Sequence, residues 1–117
     1  MQARNRERER GDASYAPTSY TIVRRAILDR RSLTAAYDGA VLHFSPHALG
    51  RHRDKSFRVV AFQYAARRAA PIPRGGRWRC LRIARLKRVA PNRDGWHSGH
   101  DYRRPTSCVA QVIAAAW

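Results

Sequence analysis

The stretch Arg77-Trp78-Arg79-Cys80-Leu81-Arg82-Ile83-Ala84-Arg85-Leu86-Lys87-Arg88-Val89 decides the reading of this chain. It interleaves cations with Trp78, Leu81, Ile83, Leu86 and Val89, which a disordered basic tail would lack. Positive charge is therefore built onto a folded strand, where it meets a phosphate or carboxylate at low ordering cost. Strand alternation puts Arg79, Leu81 and Ile83 on one face and Cys80 and Arg82 on the other. Either Arg79 or Arg82 then points to a partly interior side. An unpaired guanidinium there is costly, so an acid, a carbonyl or an anion must satisfy it.

Working outward, the hydrophobic fraction of 44% over 117 residues supports one modest folded domain. The formal charge is +16, and all the cations but Lys55 and Lys87 are arginines. Arginine binds phosphate and carboxylate through a planar fork. A GC-rich genome also favours arginine, but it does not explain why acids are scarce. Residues 1–18 carry four arginines against three acids, which leaves +15 on residues 19–117. The tail is nearly neutral and the folded part is basic. Its field attracts polyanions over about 8 Å at physiological salt.

Residues 1–18 read as a flexible tail and 19–117 as one domain. Thr18 or Ser19 caps a helix running to about Arg31, with Ile22, Val23, Ala26 and Ile27 as its apolar stripe. Ser32–Tyr37 and Ala40–Phe44 are strand-like runs joined by Asp38-Gly39, a strong hairpin signal. Pro46 and Gly50 are expected to break the second strand. Phe57–Tyr64 is apolar on both faces, as in a strand covered from both sides. Residues 106–117 carry no charge; the Val/Ile content permits a strand, but Val109, Val112, Ile113 and Ala116 follow helical spacing and a helix is the preferred reading. The expected fold is mainly β: a small barrel with an N-terminal helix and room for a C-terminal helix.

From Ile22 to Gly99 the chain resembles the WYL domain of bacterial transcription regulators. Ala26-Ile27 through Arg31-Ser32-Leu33-Thr34-Ala35-Ala36-Tyr37 matches the family's first helix and extended run. His43-Phe44-Ser45-Pro46-His47-Ala48-Leu49-Gly50 resembles its proline segment, and Phe57-Arg58-Val59 stands where Trp-Tyr-Leu is expected. Trp78–Leu86 resembles the arginine strand, which places Arg79 and Arg82 on the two family arginines. The resemblance implies an Sm-like, SH3-type barrel that senses nucleic-acid fragments or nucleotides through a basic patch. Arg58 replaces the name-giving tyrosine, and Leu81 replaces the usual acid before Arg82. Relatives commonly carry a helix-turn-helix domain where this chain has its 18-residue tail, so a stand-alone sensor or accessory module is expected.

The leading candidate site is the anion cluster Arg58, Arg79 and Arg82. Tyr37, Phe44 and Trp78 offer stacking faces for bases, although core packing is the simpler role for each ring alone. His43, His47, His52 and His97-Ser98-Gly99-His100 invite a zinc reading, but no closed four-ligand set forms and the arginines would repel a dication. No serine sits in a nucleophile motif and the acids are too few for an acid/base pair, so a binding protein without cofactor or metal is expected rather than an enzyme. Single-stranded nucleic acid or a nucleotide-type anion is the expected partner. The rival is an interaction protein whose basic barrel docks an acidic partner or self-assembles through the uncharged C-terminal segment. No membrane span and no secretory leader is legible. The expected compartment is cytoplasmic, with Cys80 and Cys108 as two free thiols.

Overall fold

The computed structural model describes residues 18–68, 71–99 and 104–117. Except for Thr18, the expected tail lies outside the described residues. Helix α1 (Ser19–Asp29) begins where Thr18 Oγ1 accepts from Thr21 N, the capping role that small polar side chains fill. It ends at Arg30, whose left-handed backbone (φ 51°) lets its own N–H and that of Arg31 return to the carbonyls of Ile27 and Ala26. Six strands follow among the described residues: β1 (Leu33–Tyr37), β2 (Ala40–Arg51), β3 (Phe57–Arg67), β4 (Arg77–Arg82), β5 (Leu86–Pro91) and β6 (Gln111–Ala115). All pairings are antiparallel. A 3-10 turn, Ile83–Arg85, separates β4 from β5.

The Asp38-Gly39 hairpin forms as expected. Both residues have positive φ, 51° and 83°, and Tyr37 pairs directly with Ala40. The sheet runs β4-β3-β2-β1-β5, with β6 also paired to β2. It is open: β4 and β5 share no ladder among the described residues. The ends of β1 and β4 nonetheless meet through one bond: the Tyr37 hydroxyl on β1 accepts from Arg82 N at the end of β4 (3.1 Å). The sheet and α1 enclose a core of Val23, Ala26 and Ile27 with Leu33, Leu42, Phe44, Leu49, Val59 and Leu81. Phe44 is core, wholly buried, and presents no stacking face. A smaller cluster on the opposite side of β3 joins Val60, Ala48 and Cys108, flanked by Trp78 and Val109. This explains the run of apolar residues on both faces of β3.

Three expectations are corrected. First, β2 does not stop at Pro46 or Gly50; it runs through both. Pro46 falls in a gap along one side of β2: β1 pairing ends at Phe44 and β6 pairing starts at Ala48. On the other side a register shift between Pro46 and Ala48 relaxes the β3 ladder. Proline's missing N–H is tolerated at such an irregularity. Second, the C-terminal segment is strand β6, not a helix. Its β-branched Val112 and Ile113 suit a strand, and the free edge beyond Ala48 supplies the partner. Third, Cys80 and Cys108 are not free thiols but a disulfide, with Cα atoms 5.6 Å apart. The return of the chain along β2 brings the two together.

Gly50 is the tight point of the β2–β6 junction. A Cβ there would overlap the Gln111 carbonyl oxygen and Val109 Cγ1. Gly50→Ala is therefore expected to cost about 1–3 kcal/mol by forcing β6 away. The check is a lower urea midpoint than that of the native chain; an unchanged midpoint would refute the tight packing.

Candidate anion-binding site

Strand pairing divides the predicted arginines between two faces. On β3 and β4 the direct partners are Arg58↔Arg82, Ala61↔Arg79 and Gln63↔Arg77. Arg58 and Arg82 share the face of Trp78 and Cys80, while Arg77 and Arg79 share the face of Leu81 and Gln63. The five predicted residues Arg58, Arg79, Arg82, Tyr37 and Trp78 thus do not form one cluster.

The Arg58–Arg82 face is already neutralised in part. Asp54 accepts from Arg58 Nη2 at 2.9 Å and lies 3.9 Å from Arg82 Nη2. Hydrogen bonds from the Ser56 hydroxyl and N–H, and then Arg58, hold the Asp54 carboxyl well below the usual carboxylate range. Arg58 also donates to Ser56 Oγ (3.0 Å) and is nearly buried. Trp78 on this face packs edge-on against His47 (4.8 Å) and Phe62 (5.2 Å). Gly99 approaches so closely that a Cβ there would overlap the Phe62 and Trp78 rings. Trp78 is thus a packing element of the second cluster.

The opposite face is different. Arg79 Nη1 donates to Gln63 Oε1 at 2.8 Å, and Arg77 Nε reaches the same oxygen at 3.4 Å. Two guanidinium groups therefore converge on one neutral carbonyl. Gln63 is wholly buried, and its Nε2 has no hydrogen-bond partner. Flipping the amide would aim its N–H₂ at two more donors, so this orientation is forced. Burial first, and then the Arg77 charge, lower the pKa of Arg79. Asp38 is felt there, but Arg85 Nε and Nη2 already bind its carboxylate (3.0 and 2.7 Å). The Tyr37 ring is buried, with the guanidinium groups of Arg79 and Arg85 5.9 and 5.6 Å from its centre. Tyr37 thus seats cations and offers no open surface to a base.

Arg77 and Gln63 are the members that sequence reasoning missed. Arg77 was legible, two positions before Arg79 on the same strand face. Gln63 was not, because only the β3–β4 register puts it opposite Arg77.

His47 is buried among rings, its centroid 4.8 Å from Trp78 and 4.6 Å from Trp96. Its Nε2 lies 3.0 Å from the His97 carbonyl, which can only accept, so Nε2 carries the proton. Burial first, then the charges of Arg104 and Arg30, push its pKa below the ordinary 6.5; the His97 bond opposes them. The unfolded chain therefore takes up a proton more readily below pH 6.5 than the folded one does. Stability from this residue is present above that pH and is lost as pH falls through it. Thermal unfolding at pH 7.5 and 5.5 should show the loss, and His47→Gln should shrink the difference. An equal acid sensitivity in both proteins would refute the assignment.

No helix among the described residues is long and apolar enough to cross a membrane. No protein-family model, curated protein or solved structure matches the chain.

Proposed function

We propose that this chain is a WYL-like binding module that takes a single nucleic-acid strand or a nucleotide-type anion on the Arg77–Arg79–Gln63 face. The observation that carries the reading is two guanidinium groups sharing one neutral carbonyl, with no carboxylate bonded to either among the described residues. A phosphate would supply the missing negative charge and the acceptors for the remaining N–H groups. Arg82 and Arg58, held by Asp54, play the lesser part. The module binds rather than catalyses, and it needs no cofactor.

The order of elements supports the Sm-like reading. After α1 the chain makes a four-strand meander, passes a 3-10 turn, and brings β5 back to β1. The Tyr37–Arg82 bond draws the β1 and β4 ends toward each other, as a barrel of that type requires. The cytoplasmic reading loses its free-thiol premise, because disulfides persist mainly in oxidising compartments.

Fluorescence polarisation against single- and double-stranded DNA and RNA and against nucleotides tests the site. Arg77→Ala and Arg79→Ala should lose affinity, while Arg82→Ala should lose little. Unchanged binding in the first two would overturn the assignment.

One observation favours the rival reading, an interaction protein. Val112, Ile113 and Trp117, three of the four exposed large apolar side chains among the described residues, lie in the last six residues. The β6 edge bears no charge to deter pairing with another strand.

A further inference from the structure

A second group of arginines lies where α1 ends. Arg30, Arg31 and Arg93, with Ser32, Asn92 and Gly95, line a cleft of about 260 Å³. The left-handed turn at Arg30 carries the chain off the helix so that both Arg30 and Arg31 reach this cleft. Its far wall is stitched in place. Asn92 N donates to the Ser32 carbonyl (3.0 Å), Asp94 N to Asn92 Oδ1 (3.0 Å), and His97 N to Ser45 Oγ (2.9 Å). The buried Ser32 hydroxyl bonds both Ser45 Oγ and the Gly95 carbonyl. The arginines are thus mounted on fixed backbone, which reduces the ordering cost of binding.

No carboxylate bonds these three guanidinium groups among the described residues. The two carboxylates nearest in sequence are turned to other partners: Asp29 accepts from Arg25 Nε (2.9 Å) and Asp94 from the Tyr64 hydroxyl (2.8 Å). The Tyr64 hydroxyl is committed to this bond, its pKa pushed up to about 12 by burial and then by Asp94. Arg30 Nη2 touches only the Ala116 carbonyl, at 3.4 Å, and the side chains of Arg31 and Arg93 form no ion pair or hydrogen bond among the described residues. The negative end of the α1 dipole opposes an anion here. Its carbonyls at Ala26 and Ile27 are capped, however, and about half an elementary charge faces three full ones. The cleft lies just below the roughly 300–1,000 Å³ range of pockets that enclose drug-sized ligands, so a single phosphate group fits within it.

We propose that the cleft of Arg30, Arg31 and Arg93 is a second anion site, built to hold a single phosphate group. It stands on residues separate from Arg77, Arg79 and Gln63, so either site can fail without the other. The phosphate group has two sources, a free anion or the end of a nucleotide chain.

Calorimetric titration of the Arg77→Ala/Arg79→Ala protein, which removes the first site, with inorganic phosphate, a 5′-phosphorylated dinucleotide and the same dinucleotide with a 5′-hydroxyl tests this. Saturable one-to-one binding of either phosphorylated probe is expected, and the stronger of the two names the source. Arg31→Ala and Arg93→Ala should each weaken it at least about tenfold, the loss of one charged hydrogen bond. Arg93→Lys, which keeps the charge without the fork, should fall between. Both substituted arginines are exposed, and circular dichroism is the check that the variants fold. No saturable binding of either phosphorylated probe would overturn the proposal. So would binding indifferent to Arg31 and Arg93, or binding equally strong with the 5′-hydroxyl probe.

Discussion

Replacing Arg77 and Arg79 together by alanine is expected to abolish most of the chain's affinity for a single-stranded oligonucleotide. Each charge-assisted hydrogen bond contributes about 1.5–3 kcal/mol, so each single substitution should cost roughly 10- to 150-fold. The native chain should itself be strongly salt-sensitive. If about six to ten of its cations meet phosphates, affinity for a single strand falls by roughly 300-fold to 10⁴-fold between 50 and 200 mM salt. The salt slope separates this from mere damage to the fold. Each lost phosphate contact reduces the slope by about 0.7 on a single strand, so the double variant should be shallower by about 1.4. Binding that ignores salt would sink the proposed function. A double variant with the native slope would remove Arg77 and Arg79 from the contact set.

The second large effect is on stability. Breaking the Cys80–Cys108 bond, by reductant or by Cys80→Ala with Cys108→Ala, is expected to cost roughly 3–4 kcal/mol. The bond closes a 28-residue separation, and a loop of about that length carries this much chain entropy in the unfolded state. Against a typical total of about 5–15 kcal/mol the loss is substantial. Cys108 is also buried in the small cluster with Ala48 and Val60, so its release loosens the segment that leads into β6. Urea unfolding with and without reductant measures the cost. Coincident curves would show that the bond contributes nothing, and the alanine pair guards against incomplete reduction.

Much of the fold was legible where local chemistry decides it. Asp38-Gly39 specifies a turn with two positive φ values, and few residue pairs do so as cheaply. Thr18 and the apolar stripe fixed α1 in the same local way. The misread elements depend on distant partners. Pro46 breaks a strand only where its N–H is needed, and the gap that excuses it is created by β1 and β6. The helical spacing in 106–117 was real, but an open edge on β2 competes for the same residues and wins. The cysteines gave no sign of their pairing, because 28 residues separate them and only the completed sheet joins them.

At the site, alternation along β4 correctly put Arg79 and Arg82 on opposite faces and required a partner for the more buried one. The partner proved to be a carbonyl, that of Gln63. A local sign separated Arg58 from Arg77: Asp54 stands four positions before Arg58 and claims it, while no acid among the described residues claims Arg77. Arg30, Arg31 and Arg93 were invisible as a group. Some 60 positions of sequence lie between the first two and the third, and the Ser32–Asn92 contact brings them together.

Strand β2 is the keystone of the assembly, since β1, β3 and β6 all take their alignment from it. A slip of one residue along it would turn Leu42 and Phe44 outward and misalign three neighbours at once. The Asp38-Gly39 turn guards against this error at the shortest possible range, while the chain is still searching. Nucleation at that corner would therefore commit the whole topology early, and the last strand has only to find a groove already cut for it.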